Sequence, residues 1–363
     1  METHFAFEDG TAFIPFGTTV YALAHQEDAL VEETLESLRS APFNKVRMCV
    51  FPKHYDYNHN EPPCYAFEKG IDGAWNVNRP CIAFWQRFEK ILDRIYDMEI
   101  QVDLILFHPY DRWGFADLSQ RDNLIFLDYL LRRLAANPGC WWSLANEYDL
   151  CDEHKSLADW EEIEAYVANS DPYGHLLSNH NCFCFWDATR PNITHASLQT
   201  KGLTELPRWI AKYQKPVVID ECCYEGNLPA PLTSAGNVVF QRAVLSEEER
   251  EAGIMQLPKE MHRFLRSIAA SIARMEEDDR TAHLAGEHEW ASHAGEDAYL
   301  WFNDRQCFGE QTLSLPEAWQ YRIELIDVWA MTRTVLLDDA SGETLIRLPG
   351  REGLAVLATR TSQ

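Results

Sequence analysis

Apolar residues recur along this chain in two alternating rhythms. A near-continuous apolar run from Phe13 to Ala22 precedes a stretch, Glu27 to Ala41, whose apolar positions repeat every three to four residues, and a second run, Lys45 to Phe51, follows. That order predicts strand, helix, strand. From Cys81 to Met98, the residues Phe84, Phe88, Ile91, Leu92 and Ile95 fall on one helix face, and Val102 to Phe107 reads as the next strand. The alternation continues with a helix over Leu124 to Ala136, a strand over Trp141 to Ala145 and a helix over Trp160 to Asn169. Strands at Leu176 to His180 and Ile193 to Leu198, a helix at Leu203 to Tyr213, and a strand at Val217 to Ile219 after Lys215-Pro216 complete it.

Seven almost wholly apolar strands with helices between them predict an α/β fold in which a parallel sheet is covered on both faces. A (β/α)8 TIM barrel accounts for this pattern. The competing doubly wound sheet expects a glycine-rich phosphate turn after its first strand, and Gly17 stands alone there. For an eighth strand, Asn237 to Phe240 is the one candidate, followed by a helical stretch from Ser246 to Glu277. Beyond residue 297 the rhythm changes. Short runs at Tyr299 to Phe302, Gln311 to Leu315, Tyr321 to Val328, Thr334 to Leu337, Thr344 to Leu348 and Leu354 to Thr359 predict a small antiparallel β-sandwich. The expected division is a barrel over residues 1–296 and a sandwich over 297–363; 296 residues exceed the roughly 250 that a barrel needs.

Composition narrows the function. With 32 basic against 57 acidic side chains the net charge is −25, which argues against nucleic-acid or membrane-surface partners, since both require basic faces. The N-terminus Met1-Glu2-Thr3-His4-Phe5 carries no basic segment followed by an apolar run, so a soluble, cytoplasmic chain with free thiols among its ten cysteines is expected. Neither Cys182-Phe183-Cys184 nor Cys222-Cys223 has the spacing of a structural zinc pair, and no metal or cofactor is expected. The oligomeric state is left open.

In a barrel the chemistry sits beyond the C-terminal strand ends. There the chain carries Lys53-His54-Tyr55 after the second strand, His108-Pro109-Tyr110-Asp111-Arg112-Trp113 after the third and Asn146-Glu147-Tyr148-Asp149 after the fourth. His180-Asn181, Gln199-Thr200 and Asp220-Glu221 follow the fifth, sixth and seventh. Aromatic rings beside carboxylates and amides suit a sugar, whose C–H faces stack while its hydroxyls seek polar partners. Glycosidic cleavage needs one carboxyl group that holds a proton and one that is ionised. Glu147 and Glu221 end strands on opposite sides of the barrel mouth and form the natural pair. Strict alternation would point Asp220 away from Glu221, as a structural carboxylate. Asp149 and Glu225 are further candidates to contact substrate or support the site, while Trp113, Tyr110 and Trp186 are equally readable as sugar platforms or loop packing. A metal-dependent amidohydrolase would call for His-x-His after the first strand, where Tyr21-Ala22-Leu23-Ala24-His25-Gln26 stands instead.

The segments Trp141-Trp142-Ser143-Leu144-Ala145-Asn146-Glu147-Tyr148-Asp149, Lys215-Pro216-Val217-Val218-Ile219-Asp220-Glu221 and Tyr224-Glu225-Gly226-Asn227 resemble the glycoside hydrolases of clan A. Within that clan the chain is similar to the apiosidase-like (DUF4038) barrels with a DUF5605-type C-terminal domain. Asn44 to Met48, Phe51-Pro52-Lys53, Phe107 to Trp113 and Ile326 to Thr332 add to the likeness. The resemblance implies a retaining mechanism with Glu147 as general acid/base and Glu221 as nucleophile. It further implies that Asn146 binds the sugar 2-hydroxyl and that Arg47 keeps the nucleophile ionised. His108, His180 and Gln199 would line the sugar subsite, with Tyr110, Asp111, Trp113 and Tyr224 as further substrate contacts. The chain departs from the family after Asn227, where a Gly-Thr-His-Gly-Glu-like segment would follow. Two functions therefore stand side by side: a retaining hydrolase of plant or microbial glycans, and an impaired barrel that binds carbohydrate without cleaving it.

Overall fold

The computed structural model describes residues 3–361 apart from 42, 56–57, 201–204, 222–236, 241–275, 278–288, 304–306, 328–329 and 331. Eight short parallel strands form its centre: β1 (Gly17–Thr19), β2 (Lys45–Cys49), β3 (Gln101–Phe107), β4 (Cys140–Ala145), β5 (Leu177–Ser178), β6 (Ala196–Gln199), β7 (Val217–Glu221) and β8 (Asn237–Phe240). The row β6-β7-β8-β1-β2-β3-β4-β5 is parallel at every junction. Its two ends are joined by a parallel bridge between His180 and Ser197 and by a backbone bond from Thr194 N to Leu177 O of 2.9 Å. The strands thus close on themselves, and the eighth strand is the segment Asn237–Phe240 singled out by its sequence.

Local chemistry sets the element boundaries. The first barrel strand is shorter than the run from Phe13 predicts, because Pro15 has no N–H to give a sheet; Ala12–Phe13 instead pairs with Phe5–Ala6 in a hairpin. Gly17 serves strand contact rather than phosphate, since a Cβ there would lie 2.6 Å from the Lys45 carbonyl oxygen. Helices α1 (Asp28–Ser40), α2 (Ile82–Tyr96), α3 (Gln120–Leu134), α4 (Leu157–Ser170) and α5 (Leu206–Tyr213) alternate with the strands, and α2 buries the predicted Phe84, Phe88, Ile91, Leu92 and Ile95 stripe. Two of them begin before their apolar pattern does. Ser119 accepts the Asp122 amide at the start of α3, and Ser156 forms a reciprocal capping box with Asp159 at the start of α4.

The barrel interior is charged. Lys45 Nζ lies 2.6 Å from Asp220 Oδ1 and 2.8 Å from Asp103 Oδ2, and Arg47 Nε lies 3.7 Å from Asp103, every side chain fully buried. Asp220 corrects the alternation expected at this strand. The β6–β7 register runs Leu198 to Ile219 and then Gln199 to Glu221, so Asp220 is the extra residue of a bulge and both acids turn inward. Burial pushes the Asp220 carboxyl up, but Lys45 and Arg47 outweigh it and hold the group well below the usual carboxylate range. Beneath this layer, Phe5 and Phe13 pack on Trp141 at 5.0 and 6.0 Å and plug the lower end of the barrel.

The C-terminal part is the expected antiparallel structure, though it starts earlier than residue 297. Strands β9 (Glu276–Glu277), β10 (Glu289–Ala294), β11 (Ala298–Asn303), β16 (Leu354–Arg360), β13 (Tyr321–Asp327) and β14 (Thr332–Ala340) form one sheet in that order, with β12 (Glu310–Ser314) and β15 (Glu343–Arg347) as a separate pair. Leu313, Leu315, Ile346 and Leu348 from beside the pair pack with Tyr299, Trp301, Ile323 and Val356 of the sheet, which makes a sandwich. The helix expected from Ser246 to Glu277 lies outside the described residues except for Glu276–Glu277, which is strand β9. Among the described residues no helix is long and apolar enough to cross a membrane.

Removing the central cation leaves two buried carboxylates facing each other. Lys45→Met is expected to cost about 3–5 kcal/mol of unfolding free energy, read from urea denaturation. A cost under about 1 kcal/mol would show that the ion layer is not what holds the barrel interior together.

Candidate active site

Above the ion layer two glutamates, each only 5% exposed, emerge at the upper rim. Glu221 ends β7. Arg47 Nη1 approaches its Oε1 at 3.5 Å and His180 Nε2 at 4.0 Å, while its carbonyl accepts the Thr200 amide at 3.1 Å. The Ser197 hydroxyl donates to Asp220, so His180 Nδ1, 3.0 Å from the same oxygen, must donate to it; His180 Nε2 then faces Glu221 as an acceptor. Burial above all, and the Arg47 charge next, hold this imidazole neutral, well below its ordinary range.

Glu147 follows β4 with φ 55° and ψ 58°, a left-handed conformation unusual for a residue with a side chain. Such strain is stored where a side chain must point one way. Here Tyr110 donates its hydroxyl proton to Glu147 Oε2, and Asn146 Nδ2 lies 3.2 Å from the same oxygen. Asn146 Oδ1 in turn accepts from the Tyr21 hydroxyl at 3.3 Å. The main chain of His180 clamps both sides of this turn, taking the Tyr148 amide at 2.9 Å and donating to Ala145 O at 3.3 Å. His180 therefore touches the Glu147 turn through its backbone and the Glu221 side chain through its ring.

Asp149 accepts the amides of Cys182, Phe183 and Cys184 at 2.6 Å each, which supports the loop after β5 rather than reaching for a ligand. That loop brings the Cys182 thiol into hydrogen-bond contact with Glu147; burial and then that carboxylate push the thiol up to about 12, so it is a proton donor and not a nucleophile.

The remaining predicted residues divide by location. His108 is buried below the rim with Nε2 3.2 Å from Phe51 O, and burial pulls it down to about 3. Gln199 sits beside Glu221 in the strand register, its backbone held on both sides by the Asn181 amide at 3.1 Å. Asp111 uses both carboxylate oxygens inside its own loop, on the amides of Trp113 at 2.7 Å and Ala116 at 2.6 Å. Trp113 donates its indole N–H to Glu61 at 3.0 Å and is covered by the Arg112 guanidinium at 4.8 Å. Trp186 is buried against Tyr148 and bonded to Glu164, which makes it packing. Tyr224 and Glu225 lie outside the described residues.

One group at the rim stands in the strand-end motifs but has no role among the predicted site residues. Lys53, 4% exposed, places Nζ 3.7 Å from the Tyr21 ring centre and 4.3 Å from that of Tyr110. Its signal is a lysine set directly after an apolar strand and a proline, Phe51-Pro52-Lys53, where an exposed lysine would have no reason to be. Among the described residues no cluster of three or more His, Cys, Asp or Glu could hold a metal ion.

Two family models match the chain. The family model described as apiosidase-like, catalytic domain, matches residues 2–244, and that described as DUF5605, a domain of unknown function, matches residues 287–359. The chain is similar to the crystal structure of a candidate glycoside hydrolase from Bacteroides vulgatus ATCC 8482, with 31% identity over 99% of this chain and 81% of that one and a TM-score of 0.80. A further structure described as a glycoside hydrolase shares 13% identity over 100% and 96% of the two chains, with a TM-score of 0.72. A family 5 glycoside hydrolase from the same Bacteroides strain shares 14% over 98% and 91%, with a TM-score of 0.68; these last two likenesses show the fold alone. No curated protein matches the chain.

The buried histidines give the site a pH signature. Burial pulls both His25 and His108 down to about 3. Above their ordinary value of about 6.5 neither folded nor unfolded chain protonates them; from there down to about 3 the unfolded chain takes up protons that the fold refuses. Stability is therefore expected to fall steadily as pH drops through that window. Urea midpoints measured across it in the parent and in His25→Phe, whose ring would keep the stack on Phe84, should show a shallower slope in the variant. Equal slopes would mean that His25 takes up protons in the fold.

Proposed function

The chain belongs to the apiosidase-like family of catalytic domains and is a glycosidase; from that premise we propose that it cleaves the O-glycosidic bonds of a plant or microbial glycan with retention of configuration. One observation carries this: two buried glutamates at one rim stand in different surroundings, Glu221 facing a guanidinium and Glu147 surrounded by the hydroxyl, amide and thiol of Tyr110, Asn146 and Cys182.

The Arg47 charge favours an ionised Glu221, whose oxygen attacks the anomeric carbon while Glu147 gives its proton to the departing glycosidic oxygen. The covalent glycosyl ester on Glu221 is then hydrolysed by a water molecule whose proton returns to Glu147. Asn146, fixed by Tyr21, presents its amide to the sugar 2-hydroxyl, and His180 Nε2 offers an acceptor to a further hydroxyl. Neither step requires the Asp220 carboxylate, which Lys45 holds below the rim.

A panel of aryl glycosides tests this. Turnover should vanish in Glu221→Ala and drop by about 10²–10⁴ in Glu147→Ala, with azide restoring the latter by trapping the intermediate as a glycosyl azide. The first-formed sugar, followed by proton NMR, should keep the substrate's anomeric configuration. Activity surviving in Glu221→Ala, or an inverted first product, would overturn the proposal; binding of glycans without any turnover would favour a carbohydrate-binding barrel instead.

A further inference from the structure

Lys53 follows β2 and reaches under the rim, where its ammonium lies against three tyrosine rings: Tyr21 at 3.7 Å, Tyr110 at 4.3 Å and Tyr55 at 5.3 Å from the ring centres. All three distances are inside the range of about 6 Å over which a cation is attracted to a ring face, and burial strengthens that attraction. Two of these rings do something else. The Tyr21 hydroxyl donates a hydrogen bond to Asn146 Oδ1, and the Tyr110 hydroxyl donates one to Glu147 Oε2. One buried cation thus sits beneath both phenols that hold the Asn146-Glu147 pair, although it comes from a different strand from either.

We propose that Lys53 is a positioning residue: by seating the faces of Tyr21 and Tyr110 it fixes the two phenols that aim Asn146 and Glu147 at the glycosidic bond. This rests on Glu147 being the acid/base.

The surroundings of Lys53 fit a functional position better than a packing one. Taking an ammonium out of water is costly, and a methionine of similar shape would fill the same space without that cost. Burial pulls Lys53 down to about 8, against the opposing influence of Cys49 and Glu147 and with that of Arg47, and its charge in turn helps to lower His108. It is therefore a cation near neutral pH, with the Glu147 carboxyl as the acidic group across the rim. What the ammonium adds over methionine is attraction to ring faces.

Lys53→Met, with Lys53→Gln as a second variant should the first fail to fold, tests the assignment in two ways. Crystal structures should show the Tyr110 hydroxyl withdrawn from Glu147 and the Tyr21 hydroxyl from Asn146. That arm does not depend on any substrate. In kinetics, kcat/KM, which reports the first step, should fall by about 10² on a 4-nitrophenyl glycoside, the loss associated with a misplacement of about 1 Å, and by clearly less on the 2,4-dinitrophenyl glycoside, whose leaving group needs little protonation. Lys53→Arg, which stays charged and can stack on both rings, should recover part of the loss. Both phenols in place together with an unchanged kcat/KM on the two substrates would overturn the proposal. Failure of azide to restore Glu147→Ala would instead sink the acid/base assignment, whatever Lys53→Met does, so the two failures are told apart.

Discussion

Two cations and three carboxylates share the buried interior of this barrel, and the position of the carboxylate nearest the rim follows from how they pair. Lys45 and Arg47 lie two residues apart on β2, so both point inward. Lys45 neutralises Asp103 and Asp220, while Arg47 spans Asp103 and Glu221. Each of these groups would be prohibitively costly alone in such surroundings, and together they are held by mutual contact. The pairing leaves one carboxylate at the top of the network, closest to the rim. That carboxylate is Glu221, and it owes its place to the lower pairs having satisfied the others.

The bulge at Asp220 makes this arrangement possible. Regular alternation would turn one of two neighbouring acids outward among the helices, away from Lys45 and Arg47. One extra residue in β7 turns both inward, one to each cation. The same economy governs the other side of the site. The main chain of His180 holds the Glu147 turn while its ring lies 4.0 Å from the Glu221 carboxylate, and the Ser197 hydroxyl donates a hydrogen bond to Asp220, which gives His180 a defined tautomer. The ion layer and the rim are therefore one network rather than a core with a site laid on top.

Much of this was legible in the residues themselves. The strand-helix rhythm, the charged and aromatic strand ends, and the pair Glu147 and Glu221 stand in the chain as local patterns, whereas Asn237–Phe240 stood out only as the one candidate for an eighth strand. Other assignments could not be made locally. Asp111 reads as a candidate substrate ligand until its two oxygens are found on the Trp113 and Ala116 amides. Trp186 reads equally well as a platform until it is seen buried against Tyr148. Lys53 was legible only as a strand-end residue within Phe51-Pro52-Lys53, with no role, because the rings it lies against come from other strand ends.

By itself, then, the sequence determined the architecture and the chemical character of the rim, because apolar periodicity and residue type act over a few neighbouring positions. The tertiary structure alone decided which acid faces which cation, that Asp149 braces the loop after β5, and that one lysine lies beneath two tyrosines from separate strand ends. These depend on contacts between residues up to 175 positions apart, as in the Lys45 to Asp220 pair, and on a single-residue shift of register. Burial then gives such contacts their strength, and burial is a property of the assembled fold.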